Sequence, residues 1–276
     1  MSELEDLKQN LNKEGFYLES RVMKSFIDAG CSTQINVDLP FGFRENEPPA
    51  DIDVIAKSGE HIFFCECKGS SPLYRLVLFK NYSRPPFLPV YEIHKKEFTI
   101  NEFPLGIPNE VFYCHSGHFL KPDAKRPSNR DYWTNFYHGL RQITENFTTF
   151  LIAGLQENNT LGFKTHQSSD IFVPMLVTNA KILVADYFDP LGNVIENVRL
   201  APVPWAIVKN NIPIPFFDLS TVKFWNYKTT SDSRIAGKRE LPFIWVVHVE
   251  NIGDFVKMVS TNNGGAHQYY EKPEWI

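Results

Sequence analysis

A mixed α/β protein, with a central sheet flanked by helices, is the fold class this sequence predicts, and three observations predict it. Leu18, Val22 and Phe26 recur at i, i+4 and i+8 between Gly15 and Gly30, the pattern of an amphipathic helix with a glycine stop. Two unbroken apolar runs, Val54-Ile55-Ala56 and Ile62-Phe63-Phe64, flank Ser58-Gly59. They read as a hairpin whose strands are covered on both faces. A long helical stretch, from about Tyr132 to Gly154, is then followed by the strand-like run Ile171 to Thr178.

Taken in order, the helix at Gly15–Gly30 leads to a first strand, Ser32 to Leu39. The second strand is Asp51 to Ala56 and the third is His61 to Lys68. Residues 69–131 carry eight prolines and many aromatics, which predicts an irregular or short-stranded insertion rather than long helices. Beyond the helix at Tyr132–Gly154 and the strand at Ile171–Thr178, the character changes. Lys181 to Ala185 reads as a strand and Asp189-Pro190-Leu191-Gly192-Asn193 as a turn. Pro202 to Val208 and Phe243 to Val249 are further strands. Asn251 to Val259 is a short helix with Phe255 and Val259 on one face. The expected organisation is a core over 1–179 with an insertion at about 69–131, and a β-rich C-terminal extension over 180–276 packed on that core.

The charged residues at the ends of the hairpin strands carry the functional signal. Glu66 and Lys68 are two apart in a strand and so project to one face. Pairing across the Ser58-Gly59 turn brings Asp53 beside Glu66, either directly opposite or one diagonal step away. Two carboxylates and an ammonium group then converge at one end of the ribbon. An ordinary solvated ion pair is the simpler reading of any Glu-x-Lys. Here the strands are apolar throughout, and charges at the ends of buried strands are costly unless paired or bound to a metal.

This arrangement resembles the PD-(D/E)XK nuclease superfamily, whose restriction-endonuclease-like core runs helix, three strands, helix, strand. The matching residues are Asp53, Glu66 and Lys68, with Glu19 beside the apolar stripe of the first helix, and the matching elements run from about Gly15 to Asn179. The resemblance implies Asp53 and Glu66 as ligands of Mg²⁺, with Mn²⁺ as the other candidate ion, and the carbonyl of Cys67 as a further ligand. It implies catalytic roles for Lys68 and Glu19. Asp51 shares the face of Asp53 and competes for its role, although the apolar run Val54-Ile55-Ala56 directly after Asp53 fits the family pattern better. The family often carries a helical Gln; Gln142 lies in a suitable helix, where a surface position is the simpler reading. The implied activity is a metal-dependent endonuclease acting on nucleic acid, with DNA the first candidate and RNA left open, in a restriction or anti-phage role. A homodimer and a partner subunit of a defence system are both compatible with it. A silent nucleic-acid-binding or assembly subunit retaining the fold is the alternative, and an intact Asp53, Glu66 and Lys68 favours the enzyme.

Bulk composition sets the remaining bounds. The net charge of −4 argues against a generally basic nucleic-acid-coating protein, but the charge is segregated. Between Lys68 and Arg130 there are ten basic and five acidic side chains, a net +5, which leaves −9 for the rest of the chain. Lys95, Lys96, Lys125, Arg126 and Arg130 are the expected nucleic-acid contacts in that stretch. No apolar run approaches the roughly 18 residues that span a bilayer, so no membrane partner is expected. The acidic start Met1-Ser2-Glu3-Leu4-Glu5-Asp6 is unlike a secretory leader. The four cysteines do not form a disulfide framework in a chain this long, which points to a reducing cytoplasm.

Three other constellations are weaker. Cys114-His115-Ser116-Gly117-His118 lacks the second close ligand pair of a structural zinc site and reads as a loop. Gly264-Gly265 has no following Lys-Ser/Thr, and the chain has no GxSxG. Trp133, Tyr137 and Phe147 fit a packed helix face better than a base-stacking platform.

Overall fold

The computed structural model describes residues 16–39, 50–69, 74–82, 88–94, 97–103, 111–120, 131–155, 170–188, 194–210 and 243–262. The amphipathic run near the N-terminus forms helix α1 (Phe16–Asp28), with Leu18, Val22 and Phe26 buried as its periodicity predicts. Gly30 ends it with φ +82°, a left-handed conformation that glycine adopts without steric cost. Strands β1 (Ser32–Asp38), β2 (Asp51–Ser58) and β3 (His61–Lys68) follow. The β2–β3 turn places Gly59 at φ +58°.

The Pro-rich stretch forms short strands: β4 (Arg75–Lys80), β5 (Leu88–His94), β6 (Glu97–Phe103) and β7 (Tyr113–Leu120). Helix α2 (Asp131–Leu155) and strand β8 (Asp170–Thr178) come next. The C-terminal part contributes β9 (Lys181–Phe188), β10 (Val194–Pro202), β11 (Trp205–Lys209) and β12 (Phe243–His248), then helix α3 (Ile252–Asn262).

Among the described residues these twelve strands make one mixed sheet, in the order β1-β2-β3-β8-β12-β11-β7-β4-β9-β10, with the β5–β6 hairpin attached to β8 through β5. The C-terminal strands therefore interleave with the earlier ones: β12 and β11 stand between β8 and β7. Strand β8 is central yet contains Pro174, which cannot donate to a ladder. Its neighbour on one side changes there, from β5 at Asp170–Phe172 to β12 at Met175–Thr178. Pro174 falls in the gap between the two.

Each face of the sheet buries its own apolar cluster. On one face, Leu18, Val22 and Phe26 of α1 and Ile252 and Phe255 of α3 pack with Val54, Phe63, Met175 and Val247. On the other, Phe136, Leu140, Ile143, Phe147 and Phe150 of α2 pack with Ile55, Phe64, Leu78 and Leu176. Phe147 thus belongs to the core, and Tyr137 packs against its edge. Strands covered on both sides explain the unbroken apolar runs in β2 and β3. No helix among the described residues is long and apolar enough to cross a membrane.

Two assignments change. Pro202 to Val208 is not one strand: Pro202 ends β10, and β11 starts at Trp205. Between them the Val203 N–H donates to the Ile182 carbonyl (3.1 Å), while the Pro204 carbonyl accepts from His248 N–H (2.9 Å), so the chain passes from β9 to β12 within two residues. The Cys114–His118 segment is not a loop but lies within β7, which pairs with both β4 and β11. Cys114 is buried in the α2-side core, His115 bonds the Tyr187 hydroxyl (3.0 Å), and His118 packs edge-on to Phe79.

Candidate active site

The β2–β3 ladder runs from Ser58↔His61 to Val54↔Cys65. One step further, that register sets Asp53 opposite Glu66. Beyond this point the two strands follow different neighbours. β2 continues along β1 to Asp51↔Asp38, and β3 continues along β8 to Lys68↔Thr178. The result is a fork, and Asp53 reaches into it: its Oδ2 accepts the backbone N–H of Cys67 at 2.5 Å. A carboxylate here takes up a donor that a continuing ladder would otherwise satisfy.

Glu66 stands across the fork and is 2% exposed. Its Oε1 accepts from Lys68 Nζ at 2.7 Å. Burial, followed by the charge of Asp53, pushes the Glu66 carboxyl up to about 8, with Lys68 pulling in the opposite direction. The Asp53 carboxyl is also raised, chiefly by burial, although the Cys67 amide and Lys68 favour its charged form. Glu19, half-buried on the first turn of α1, is pushed up to about 7 by burial, then by Asp53 and Asp51. Burial is the first cause of all three raised values, and repulsion between neighbouring carboxylates adds to it.

Helix α2 supplies the wall behind Lys68. A Cβ built on Gly139 would lie 2.8 Å from Leu176 Cδ1, 2.9 Å from Lys68 Cγ and 3.3 Å from Lys68 Cε. The aliphatic part of Lys68 therefore lies directly on the helix backbone. Seven residues on, Asn146 Nδ2 donates to the Asp51 carbonyl (2.9 Å), tying α2 to the start of β2. Gln142 lies between these two contacts on the same side of the helix. It is not the surface residue its sequence context suggests: its Oε1 is buried and has no hydrogen-bond partner among the described residues.

The structure thus brings Asp53, Glu66 and Lys68 to the fork with the Cys67 backbone inside it, and sets Glu19 near enough to feel the charges of Asp53 and Lys68. Of the two competing aspartates, Asp53 extends its carboxylate to β3, whereas Asp51 is exposed and is held through its carbonyl. Lys95, Lys96, Lys125, Arg126 and Arg130 lie outside the described residues. Gly139 and Asn146 were not singled out by sequence. A helical glycine reads only as a propensity cost, and an asparagine to a distant carbonyl leaves no periodic trace.

The donor set suits a hard divalent cation in one respect and limits it in another. Carboxylate oxygens are the ligands that Mg²⁺ and Mn²⁺ prefer. Among the described residues, however, no three His, Cys, Asp or Glu side chains converge on one point. Mg²⁺ does not require that, since it commonly uses one or two carboxylates and keeps several waters. Asp53 and Glu66 are two carboxylates of the kind such a site uses.

Comparison of the chain with protein-family models, curated proteins and solved structures finds no match.

A second charged cluster lies elsewhere in the sheet. The buried carboxylate of Asp186 on β9 accepts from Lys80 Nζ at 2.7 Å and from the Tyr82 hydroxyl, with Arg199 at 3.5 Å. It is a compensated ion-pair network joining β4, β9 and β10.

Proposed function

We propose that this chain is a divalent-metal-dependent nuclease with a PD-(D/E)XK-type site on a restriction-endonuclease-like core. DNA is the substrate we favour, in a restriction or anti-phage role. The observation that carries the reading is the fork itself: Asp53 and Glu66 face each other where β2 and β3 separate, with Lys68 on Glu66 and Glu19 nearby. The order α1, β1, β2, β3, α2, β8, interrupted by strands from the Pro-rich stretch, agrees with the helix-strand-strand-strand-helix-strand order that the motif implies.

Asp53 and Glu66 would hold the ion, and Glu19 would act through it or beside it. Bound there, a divalent cation polarises a phosphodiester and lowers the pKa of a coordinated water. Hydrolysis joins the water oxygen to phosphorus, breaks one phosphorus–oxygen ester bond, and leaves a proton to be delivered to the departing alkoxide. Lys68 offers an ammonium group on a side chain that is 22% exposed, where a phosphate oxygen would meet it. Its role is to offset the negative charge that grows on the phosphoryl oxygens and to orient the attacking water. Burial of Glu66 and the hydrogen bond that the Cys67 N–H donates to Asp53 hold the two carboxylates in place before substrate arrives.

The test is incubation of supercoiled plasmid and of single-stranded RNA with the wild type and with Lys68→Ala, each with Mg²⁺, Mn²⁺ or chelator. Metal-dependent cleavage by the wild type alone supports the reading, and the nucleic acid cut assigns the substrate class. Failure of pure wild-type protein to cut either, under conditions where it binds DNA, favours the silent nucleic-acid-binding subunit instead.

A further inference from the structure

We infer that Gly139 is a positioning residue for Lys68: the missing side chain on α2 is the space that keeps the lysine folded back onto Glu66. The inference rests on the proposed role of Lys68 only for its catalytic consequence; the placement of the lysine is a separate matter of geometry. A lysine has four rotatable carbons and loses much rotamer freedom when held in one conformation. Its ion pair with Glu66 at 2.7 Å must overcome that loss. The surface that helps is the helix backbone at Gly139, against which Lys68 Cγ and Cε lie. A Cβ at that position would stand 2.9 Å from Cγ, closer than carbon atoms tolerate, and Leu176 at 2.8 Å closes the other escape. Leu176 is fully buried and cannot easily withdraw. The lysine is the movable partner, because its side chain is partly exposed. Any side chain at 139 therefore expels Lys68 toward solvent and strips Glu66 of its ammonium.

Other glycines separate this effect from simple crowding. A Cβ at Gly117 would meet Leu78 and Phe136 rather than Lys68 as its nearest atoms, and a Cβ at Gly253 in α3 would meet nothing within 4 Å. Gly117→Ala is thus a control for core strain and Gly253→Ala for an added methyl on a helix.

The experiment compares Gly139→Ala, Gly139→Ala with Leu176→Val, Gly117→Ala, Gly253→Ala and wild type. The rate at which Lys68 reacts with an amine-selective acylating reagent is read site by site by mass spectrometry, alongside thermal stability. Both Gly139 variants should label Lys68 about tenfold faster than wild type, the factor expected when one charge-assisted hydrogen bond is lost. The two control glycines should leave that rate unchanged. Leu176→Val should restore much of the stability lost in Gly139→Ala without restoring the slow labelling. Equal labelling in wild type and the double variant would overturn the inference and reduce Gly139 to a packing residue. Lysine reactivity does not depend on cleavage, so the outcome stands even if the protein cuts no nucleic acid. Where the wild type does cut, both Gly139 variants should lose activity while Gly253→Ala keeps it.

Discussion

Lys68 Nζ sits 2.7 Å from Glu66 Oε1, on a carboxylate that is almost wholly removed from solvent. The two side chains have unequal tasks under the proposed mechanism, so their removal should have separable effects. Lys68→Ala should leave divalent-cation binding within a few-fold of wild type, yet cut the cleavage rate by about 10²- to 10³-fold, the loss typical of removing one group that stabilises transition-state charge. Glu66→Ala should abolish both. Calorimetric titration with Mn²⁺ and plasmid nicking, run on the same preparations, check the pair. Weak Mn²⁺ binding by Lys68→Ala would contradict the division.

The raised carboxyl groups make a prediction about pH. Glu66 moves from an ordinary 4.5 up to about 8, and Glu19 from 4.5 up to about 7. Across that interval the folded protein holds more protons than the unfolded chain, so stability falls as pH rises. The contribution is fully present below about 4.5 and is lost as pH passes 7 and then 8. For Glu66 the change is on the order of a few kcal/mol at most. Denaturation midpoints in chelator should therefore decline from pH 5 to pH 8.5. Saturating Mg²⁺ should flatten or reverse that slope, since it substitutes for the protons. Glu66→Gln, neutral at every pH, should remove the Glu66 share of the decline and leave the part due to Glu19.

The local parts of this fold were legible because they are written in short-range patterns. Leu18, Val22 and Phe26 announce α1, and the runs around Ser58-Gly59 announce a hairpin whose ends follow from the turn. Alternation then places Asp53 with Glu66 and Lys68 without any tertiary information. The fork was not legible, because it depends on β1 and β8 drawing β2 and β3 apart, and nothing local says which strands will be neighbours. The same reason hid the placement of β11 and β12 between β8 and β7. Strand β10 escaped notice because Val194 to Pro202 mixes Glu196, Asn197 and Arg199 with its apolar residues and ends in a proline.

An irregularity beside the fork yields a third prediction. Asn36 has φ +48°, and the register from Ile35↔Val54 to Val37↔Ile52 sets it opposite Asp53. Asparagine tolerates the left-handed region, whereas a β-branched residue there costs roughly 1–2 kcal/mol. Asn36→Gly should be close to neutral in urea denaturation. Asn36→Val, favoured by ordinary strand propensity, should be destabilising by about that amount. Stabilisation by Asn36→Val would show that β1 can run straight past Asp53.

The tie between α2 and β2 can be loosened without touching a carboxylate. Asn146 is 6% exposed, and its Nδ2 donates to the Asp51 carbonyl at 2.9 Å. Asn146→Ala removes that donor and leaves a strand carbonyl short of a bond, a loss of about 1–3 kcal/mol. The cost should fall on the first residues of β2, which have left β3 and pair with β1 alone. Hydrogen exchange should therefore accelerate at Asp51 to Asp53 more than at Ile62 to Cys65, which stay paired to both β2 and β8. Because Asp53 moves with that segment, Mn²⁺ affinity should fall along with the protection. A uniform rise in exchange across the whole sheet would place the role of Asn146 in global stability rather than in holding one arm of the fork.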